Sequence, residues 1–341
     1  MKQPRSGRSL FVSVTIGFMT LTLIGCASAD KSMRTSRDYK KMLKKHSAAV
    51  PGQRPSPFSD ELANREVIPE LSSDTHEWSG DVHLQRGELE LAYVEYNKSL
   101  KLDPDNARVL YKRGLVFLAG GLTQEAKAEF EKVLEWRPEH ALARMGLGQV
   151  YFQQEKYGKA EEQLRKAIEL DGKLWKSRNF LGIIHDYRGE YEWAVLQYLA
   201  AVALKPDSGL LYNNLGISHY LSGNYEKSVR AFRKALDLGP IHNKVYNNLG
   251  LALSKAGRMD EAFEAFRKGG GDAQAHNNLG CVYTWTGDSE RAVRSFEKAI
   301  EVKPAFYTEA DENLRNCLAG ERTSFDLDRQ SSFDDTIPKV N

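Results

Sequence analysis

Histidine and cysteine are the side chains of this sequence best suited to hold a metal ion or to act as a nucleophile. The chain has 341 residues, of which eight are His and three are Cys. His83, His185 and His219 recur at one regular spacing or a multiple of it, but no Cys or carboxylate is spaced to complete a metal site with them. The sequence also lacks a phosphate-binding glycine loop, a nucleophile elbow and a paired-carboxylate motif. We therefore predict a protein that is not an enzyme and holds no metal or cofactor.

Composition and charge exclude two further classes of protein. Hydrophobic residues make up 41% of the chain, which is enough for a sizeable core and argues against disorder throughout. The 48 Lys and Arg nearly balance the 46 Asp and Glu. Three of these cations, Lys2, Arg5 and Arg8, lie in the amino-terminal segment before Cys26, which contains no acid. The remaining chain is therefore almost neutral, and we expect no nucleic-acid partner.

The amino-terminal segment, residues 1–25, has the pattern of an export signal. The basic start precedes an apolar run over residues 10–24. This run is shorter than the about 20 residues that a helix needs to cross a bilayer, so it is typical of a signal-peptide core.

The apolar run ends in Leu23-Ile24-Gly25-Cys26, which resembles a bacterial lipobox. The resemblance implies that the leader, residues 1–25, is cut before Cys26 and that the Cys26 thiol carries a covalent lipid. Two or more acyl chains anchor a protein stably, whereas one chain does so only marginally. Ala27 and Ser28 follow without an Asp, which by resemblance to enterobacterial sorting signals favours the outer membrane, facing the periplasm. The alternative is a soluble periplasmic protein in which Cys26 is incidental.

Residues 26–72 are predicted to form a disordered tether. They contain several prolines and no sustained apolar period: Pro51, Pro55, Pro57 and Pro69. Within the tether, residues 36–50 favour a short basic helix with four lysines: Lys40, Lys41, Lys44 and Lys45. This segment either contacts lipid head groups or peptidoglycan or is simply a solvated charged stretch.

From residue 73 onward the sequence is periodic, and several columns share a step of about 34 residues. A glycine column contains Gly80, Gly114, Gly148, Gly182, Gly216 and Gly250. A large-residue column contains Tyr96, Phe130, Leu164, Tyr198, Phe232 and Phe266. This pattern resembles the tetratricopeptide repeat, a pair of antiparallel helices. The resemblance implies an all-α solenoid, a right-handed superhelix of helix pairs, with seven repeats over residues 73–306.

The columns have mechanical explanations. Small residues such as Gly216 allow helices to approach closely, and rings such as Phe232 fill the space between neighbouring pairs. A second glycine column, in which a left-handed residue is expected to turn the chain between helices, contains Gly87, Gly121, Gly189, Gly223, Gly257 and Gly287. No repeat can bury its apolar face alone, so we expect the stacked repeats to share a core.

One seam departs from the period. The step from Gly250 to Gly280 is four residues shorter than the others, and the loss falls in the glycine-rich stretch 267–272. Four residues are about one helical turn, so the second helix of the sixth pair is predicted to be one turn short. Residues 307–320 are predicted to form a capping helix over the last apolar face, and residues 321–341 a disordered tail.

Cys281 and Cys317 lie on two helices expected to be neighbours, the first helix of the seventh repeat and the capping helix. An exported protein meets an oxidising compartment, so the two residues either form a disulfide or remain two thiols.

The concave groove of such a solenoid, lined by the first helix of each pair, is the predicted protein-binding site. By family position, the groove residues are Asn179, Tyr187, Asn213, Asn214, Ile217, Tyr220, Asn247, Asn248, Leu251, Asn277, Asn278 and Trp285, preceded by the apolar Leu115, Leu118, Met145, Phe152 and Ile183. Amides both donate and accept, which suits the backbone of an extended peptide. The alternative is that these amides bond within the repeat array. The cations at groove positions are few, namely Arg108, Lys176, Lys244 and Lys255, so a clamp for a terminal carboxylate is not supported.

The last repeat and cap, from His276 to Leu314, resemble the carboxyl end of TadD-type lipoproteins of the tight-adherence (Flp) pilus system. The resemblance implies an outer-membrane assembly factor, pilotin-like, whose partner is a secretin or another pilus or envelope component. Two alternatives stay open: a pilotin of a type IV pilus, and a scaffold for peptidoglycan or outer-membrane biogenesis enzymes. The sequence does not predict an oligomeric state.

Overall fold

The computed structural model describes residues 71–238, 243–302 and 308–320. These residues form fourteen helices and no strand, which confirms the all-α prediction. The helices are α1 Ser73–Gln85, α2 Leu89–Leu102, α3 Ala107–Ala119, α4 Thr123–Trp136, α5 Ala141–Gln153, α6 Tyr157–Leu170, α7 Trp175–Tyr187, α8 Tyr191–Leu204, α9 Gly209–Leu221, α10 Tyr225–Leu238, α11 Asn243–Lys255, α12 Met259–Trp285, α13 Ser289–Val302 and α14 Thr308–Leu318.

Consecutive helices pack against each other as hairpins that stack into a solenoid. Up to α9, links of three and four residues alternate, because the three-residue link joins two helices of a pair and the four-residue link joins one pair to the next. The first helix of a pair also touches the first helix of the next pair. The repeats begin at residues 73, 107, 141, 175, 209, 243 and 273. A position in a repeat is counted from this first residue, which is position one.

The predicted left-handed turn within each pair is confirmed. The six glycines of the second column have φ values between 72° and 79°. The third repeat has Glu155 in place of glycine, and this is the one residue other than glycine with positive φ in the described ranges, at 58°. A side chain in this conformation is strained, because Cβ approaches the carbonyl oxygen.

The first glycine column is required by close packing. A methyl group added at Gly216 would lie 2.7 Å from the Phe232 ring, and the same conflict recurs between Gly80 and Tyr96. The large side chain at position 24 of each repeat, a ring in all but the third repeat with Leu164, therefore occupies the space that the glycine leaves at position 8. Phe232 and its equivalents are almost completely buried.

The seam lies inside α12, which is two helical halves separated by Gly271. Gly271 has φ 81° and ψ 178°, which is not helical. The first half runs from Met259 to residue 270, two residues shorter than the fourteen of the other second helices. The helix therefore loses only part of the missing residues, because the link to the next helix shortens as well. The prediction that this helix is a whole turn short is only partly correct.

The buried apolar side chains form three adjoining clusters along the solenoid. The first extends from Leu84 to Val150 and the second from Met145 to Val282, and Tyr151 packs against both. The third joins the seventh repeat to α14, which lies where the capping helix was predicted. In the described residues no helix is long and apolar enough to cross a membrane.

Candidate functional site

Asparagines of successive first helices bond to each other. The Nδ2 of Asn214, at position six of its repeat, donates to Oδ1 of Asn179, at position five of the preceding repeat, over 2.9 Å. Both residues are completely buried. The amides therefore tie one repeat to the next.

The same connection recurs between other repeats, and we call the set the inter-repeat ladder. Its further rungs, each written from donor to acceptor, are Lys112 to Glu77, Asn248 to Asn213 and Asn278 to Asn247. At the carboxyl end Asn313 of α14 donates to Asn277. In each of these rungs the donor belongs to the later element, so the ladder has a direction between repeats. The contact with α14 also contains a bond in the other sense, from Asn277 to Glu309 over 3.2 Å.

The ladder corrects part of the predicted groove. Asn179, Asn214, Asn277 and Asn278 are buried between neighbouring helices and do not face a groove. Asn213, Asn247 and Asn248 are half-buried. The physical reason is the close stacking of first helices, which places positions five and six at the contact between repeats.

Most of the predicted apolar groove residues also belong to the core. The buried ones are Leu118, Met145, Phe152, Ile183, Ile217 and Leu251. Leu115 and Tyr220 are half-buried, whereas Tyr187 is 40% and Trp285 36% exposed. Tyr187 and Trp285 both occupy position thirteen of their repeats, at the end of a first helix. The accessible part of the predicted site is therefore concentrated at this position.

Position thirteen forms a stripe along repeats four to seven. It contains Tyr187, Leu221, Lys255 and Trp285, with aromatic rings at the two ends, the half-buried Leu221 and an exposed cation between them. We call these four residues the groove stripe. The Tyr187 ring stacks on Tyr157 with centroids 5.4 Å apart, which holds the Tyr187 side chain in one orientation. Rigid aromatic side chains at a rim are suited to protein contacts, because little rotamer freedom is lost on binding.

At the amino end of the solenoid the first helices carry an ion-pair network instead of amides. Lys112 bonds Glu77 and Asp81, and Arg108 bonds Glu77, each over 2.6 Å. Arg108 was one of the few cations available for a carboxylate clamp. Pairing with Glu77 raises the pKa of Arg108 and holds the Arg108 guanidinium against α1.

A second predicted groove cation, Lys176, lies beside an aromatic ring. Its Nζ is 5.7 Å from the centroid of the Trp175 ring, and Lys205 approaches the same ring at 4.9 Å. Burial lowers the pKa of Lys176, with repulsion from Lys205 acting in the same direction. Both cations therefore lie against the Trp175 ring.

A buried carboxyl, Asp186, lies at position twelve of the fourth repeat. The Tyr198 hydroxyl donates to its Oδ2 over 2.9 Å. Burial raises the pKa of Asp186 to about 7, although hydrogen bonds from Tyr198 and Ser218 act in the opposite direction. Burial likewise raises the pKa of Tyr198 well above its usual value, and the adjacent carboxyl adds to this effect. The pair therefore consists of two neutral groups at mildly acidic pH.

The histidine column has a structural explanation. His83 and His185 each place Nδ1 2.6 Å from a carboxylate five residues later, that of Glu88 or Glu190. Burial lowers the pKa of His219, and the cations of Lys227 and Arg230 lower it further. No group of three metal-ligating side chains occurs in the described residues.

Cys281 and Cys317 are buried thiols in the third core cluster and are not joined by a disulfide. Asn313 places its Nδ2 3.6 Å from the Cys281 sulfur, and Thr284 places its hydroxyl 3.9 Å from the Cys317 sulfur. The two cysteines are therefore offset by one helical turn along neighbouring helices. This offset explains why the adjacency of the helices does not bring the sulfurs together.

The outer face of α8 is an exposed apolar surface that the sequence patterns did not predict. It presents Trp193, Leu196, Leu199 and Leu204, the largest such set on one helix of the described residues. Among the fourteen residues of α8 only Glu192 is charged. This near absence of charge could have indicated an apolar surface on α8, but a helix that is apolar all round is also typical of a fully buried position.

Cys26, the tether up to residue 70 and the tail lie outside the described residues, and so do the predicted leader and the basic segment 36–50.

The sequence matches the tetratricopeptide repeat family over residues 111–174, 180–240 and 213–276 and again over 273–306, and a TPR repeat match covers residues 80–121. A search of curated proteins returned no significant match. Together the matched stretches cover well over half of the chain and leave out residues before 80, residues 175–179 and residues after 306.

Solved structures with a similar fold include the APC/C hetero-tetramer Cut9–Hcn1, with 21% identity, 76% of this chain and 50% of that chain covered, and a TM-score of 0.54. Pseudomonas aeruginosa PilF has 24% identity over 60% of this chain and 94% of its own, with a TM-score of 0.46. YrrB, a TPR protein with an unusual peptide-binding site, has 27% identity over 55% and 92%, with a TM-score of 0.40. From the helix pairs, the repeat columns and the family matches, the chain belongs to the tetratricopeptide repeat family, whose fold is typically a non-catalytic scaffold for protein–protein interaction.

Proposed function

We propose that this protein is a non-enzymatic, lipid-anchored scaffold of the bacterial outer membrane that binds a partner segment in its groove and assists the assembly of a tight-adherence pilus. The observation that carries the binding role is the groove stripe. Tyr187 and Trp285 are large, exposed and fixed on helices whose other groove positions are buried in the core. A partner that packs on this stripe presents apolar side chains and either an extended backbone or an amphipathic helix.

The proposed anchor rests on the lipobox at Cys26 and on the leader before it. An anchored groove is held near the inner leaflet of the outer membrane, and this raises its effective concentration toward a membrane partner. The mechanism is tethered capture, in which the lipid fixes the location and the stripe selects the partner. The covalent lipid is the only added group that the proposal requires.

The pilus assignment rests on the resemblance of residues 276–314 to TadD-type lipoproteins. It makes a secretin or another pilus component the expected partner. A pilotin of a type IV pilus or a scaffold for cell-wall enzymes would use the same anchor and the same groove. The partner recovered from the envelope distinguishes between these three roles.

The deciding experiment is crosslinking and affinity capture of the lipidated protein from envelopes, followed by mass spectrometry. Recovery of a secretin or of Flp-pilus components supports the proposal, and recovery of cell-wall hydrolases would replace it with the enzyme-scaffold role. The double variant Tyr187→Ala/Trp285→Ala is expected to lose the partner. Trp193→Ala, which removes an exposed ring from outside the groove, is the matched control and is expected to retain it.

The anchor has a separate test. Cys26→Ser is expected to accumulate as an unlipidated precursor that does not incorporate labelled palmitate. Ala27→Ser, at the next position, is the control and is expected to be lipidated normally. Wild-type labelling of Cys26→Ser would refute the anchor without affecting the role of the groove.

A further inference from the structure

Trp78 is exposed at a position that the other repeats bury or half-bury. It lies at position six of the first repeat and is 67% exposed. At the same position, Phe180, Asn214 and Asn278 are buried beneath the preceding repeat. No described repeat precedes the first one, so Trp78 marks an uncovered end of the solenoid.

Neighbouring residues of α1 share this uncovered face. Thr75, at position three, is exposed, and Val82, at position ten, is half-buried. Their equivalents in the fourth repeat, Ser177 and Ile184, are completely buried. Thr75, Trp78 and Val82 follow the spacing of one helix face, and we call them the open face. An uncovered apolar face at a solenoid end is normally covered by a cap.

The first repeat also differs from the others in charge. Residues 73–106 contain eight carboxylates and three Lys or Arg, a net charge of −5, whereas every later repeat lies between 0 and +2. Arg108 and Lys112 of the second repeat pair with three of these carboxylates. Even so, the first two repeats together retain a charge of −4. The open face therefore belongs to the acidic end of the molecule.

The chain itself supplies a segment of complementary chemistry. Residues 36–50 carry five Lys or Arg and one Asp, a net charge of +4, and their apolar side chains include Tyr39, Met42 and Leu43. Only residues 51–72 separate this basic segment from α1. A chain of that length spans up to about 75 Å, so reach does not limit the contact.

We propose that the basic segment, residues 36–50, docks on the open face of its own first repeat and caps the solenoid there. Trp78 provides the apolar contact, and the carboxylates of the first repeat attract the lysines. Because the two partners belong to one chain, the encounter is intramolecular and has a high effective concentration. The attraction between exposed charges is screened by salt, so the contact is expected to be salt-dependent.

The test places a photoreactive phenylalanine at position 78 of the full-length protein, expressed in a bacterium and purified from membranes in nonionic detergent. The matched control carries the same probe at Trp193, which is 60% exposed on the outer face of α8. Peptide mapping after irradiation identifies the crosslinked segment. Mixing isotopically labelled and unlabelled protein separates crosslinks within one chain from crosslinks between chains.

The expected result is crosslinking of position 78 to residues 36–50 of the same chain, at least about fivefold above the yield from position 193 to that segment. Raising NaCl from about 0.05 M to 1 M, or changing Lys40, Lys41, Lys44 and Lys45 to Glu, is expected to reduce the yield several-fold. Products with a second copy, with phospholipid or with residues 51–70 would each overturn the proposal, and so would the absence of any product at position 78.

Discussion

The side-chain amide of Asn214 donates a hydrogen bond of 2.9 Å to the side-chain oxygen of Asn179, and both residues are buried. This bond joins the fifth repeat to the fourth. Removing a buried amide lowers the stability of the protein chiefly because its hydrogen-bond partner is left unsatisfied.

Replacing Asn214 with Ala is therefore expected to lower the free energy of unfolding by about 1–3 kcal/mol. The double variant Asn179→Ala/Asn214→Ala is expected to lose less than the sum of the two single losses, because neither partner is left alone. Urea denaturation provides the measurement. Asn248→Ala, which removes a half-buried donor 3.4 Å from Asn213, is the control and is expected to lose less. Equal losses at positions 214 and 248 would contradict the role assigned to burial.

Asp186 predicts a specific dependence of stability on pH. Burial raises its pKa from 3.8 to about 7, so the folded state binds this proton more tightly than the unfolded state does. The stabilisation is complete below pH 3.8 and is lost as pH rises through about 7. Asp186→Asn keeps an acceptor for the Tyr198 hydroxyl but removes the titration.

The expected difference in unfolding free energy between Asp186→Asn and wild type increases from pH 5 to pH 8 in favour of Asn, by at most about 3 kcal/mol, because about two pH units of this range lie below the folded pKa. Denaturant titrations at several pH values measure it. Parallel pH profiles for the two proteins would show that the Asp186 carboxyl does not titrate in this range.

Glu155→Gly is expected to stabilise the protein by about 0.5–1 kcal/mol. Glu155 has φ 58°, whereas its equivalents in other repeats are glycines. Glycine removes the strain of about 1–2 kcal/mol, and part of this gain is offset by the greater freedom of the unfolded chain. Glu155→Ala is the matched control, because it removes the carboxylate but retains Cβ. The thermal midpoint should rise for Gly and not for Ala, and a similar rise in both would assign the effect to charge.

Gly271→Ala is expected to destabilise the seam by about 1–3 kcal/mol, since φ 81° with ψ 178° is accessible almost only to glycine. Gly270→Ala is the control, because its added methyl meets the movable end of the Gln274 side chain. Hydrogen exchange of α12 and α13 compares the two variants locally. Equal protection in both would mean that the backbone of the seam adjusts without cost.

The sequence predicted the parts of the fold that depend on periodicity. The constant step of the repeat places Gly216 against Phe232 and identifies which helices are neighbours, and the structure confirms both. The cap also follows from this reasoning, since an apolar last repeat needs a cover. These features depend on local geometry that every repeat shares.

The side of a helix on which a border residue lies was harder to predict. Asn213 and Asn214 are adjacent in sequence, yet one is half-buried and the other is fully buried. Position six lies at the boundary between the groove and the contact with the preceding repeat, so the closeness of stacking decides its exposure. The apolar outer face of α8 was missed for a related reason, because composition alone does not separate a buried helix from an exposed apolar one.

The direction of the inter-repeat ladder has a consequence for synthesis of the chain. Each rung has its acceptor in the earlier repeat and its donor in the later one, from Glu77 and Lys112 to Asn277 and Asn313. The amino end of a chain emerges first from the ribosome and from an export channel alike, so every acceptor becomes available before its donor. Each repeat that carries a donor therefore completes a polar contact of the repeat before it, and these rungs can form in the order in which the chain emerges, with Asn313 of α14 as the last donor.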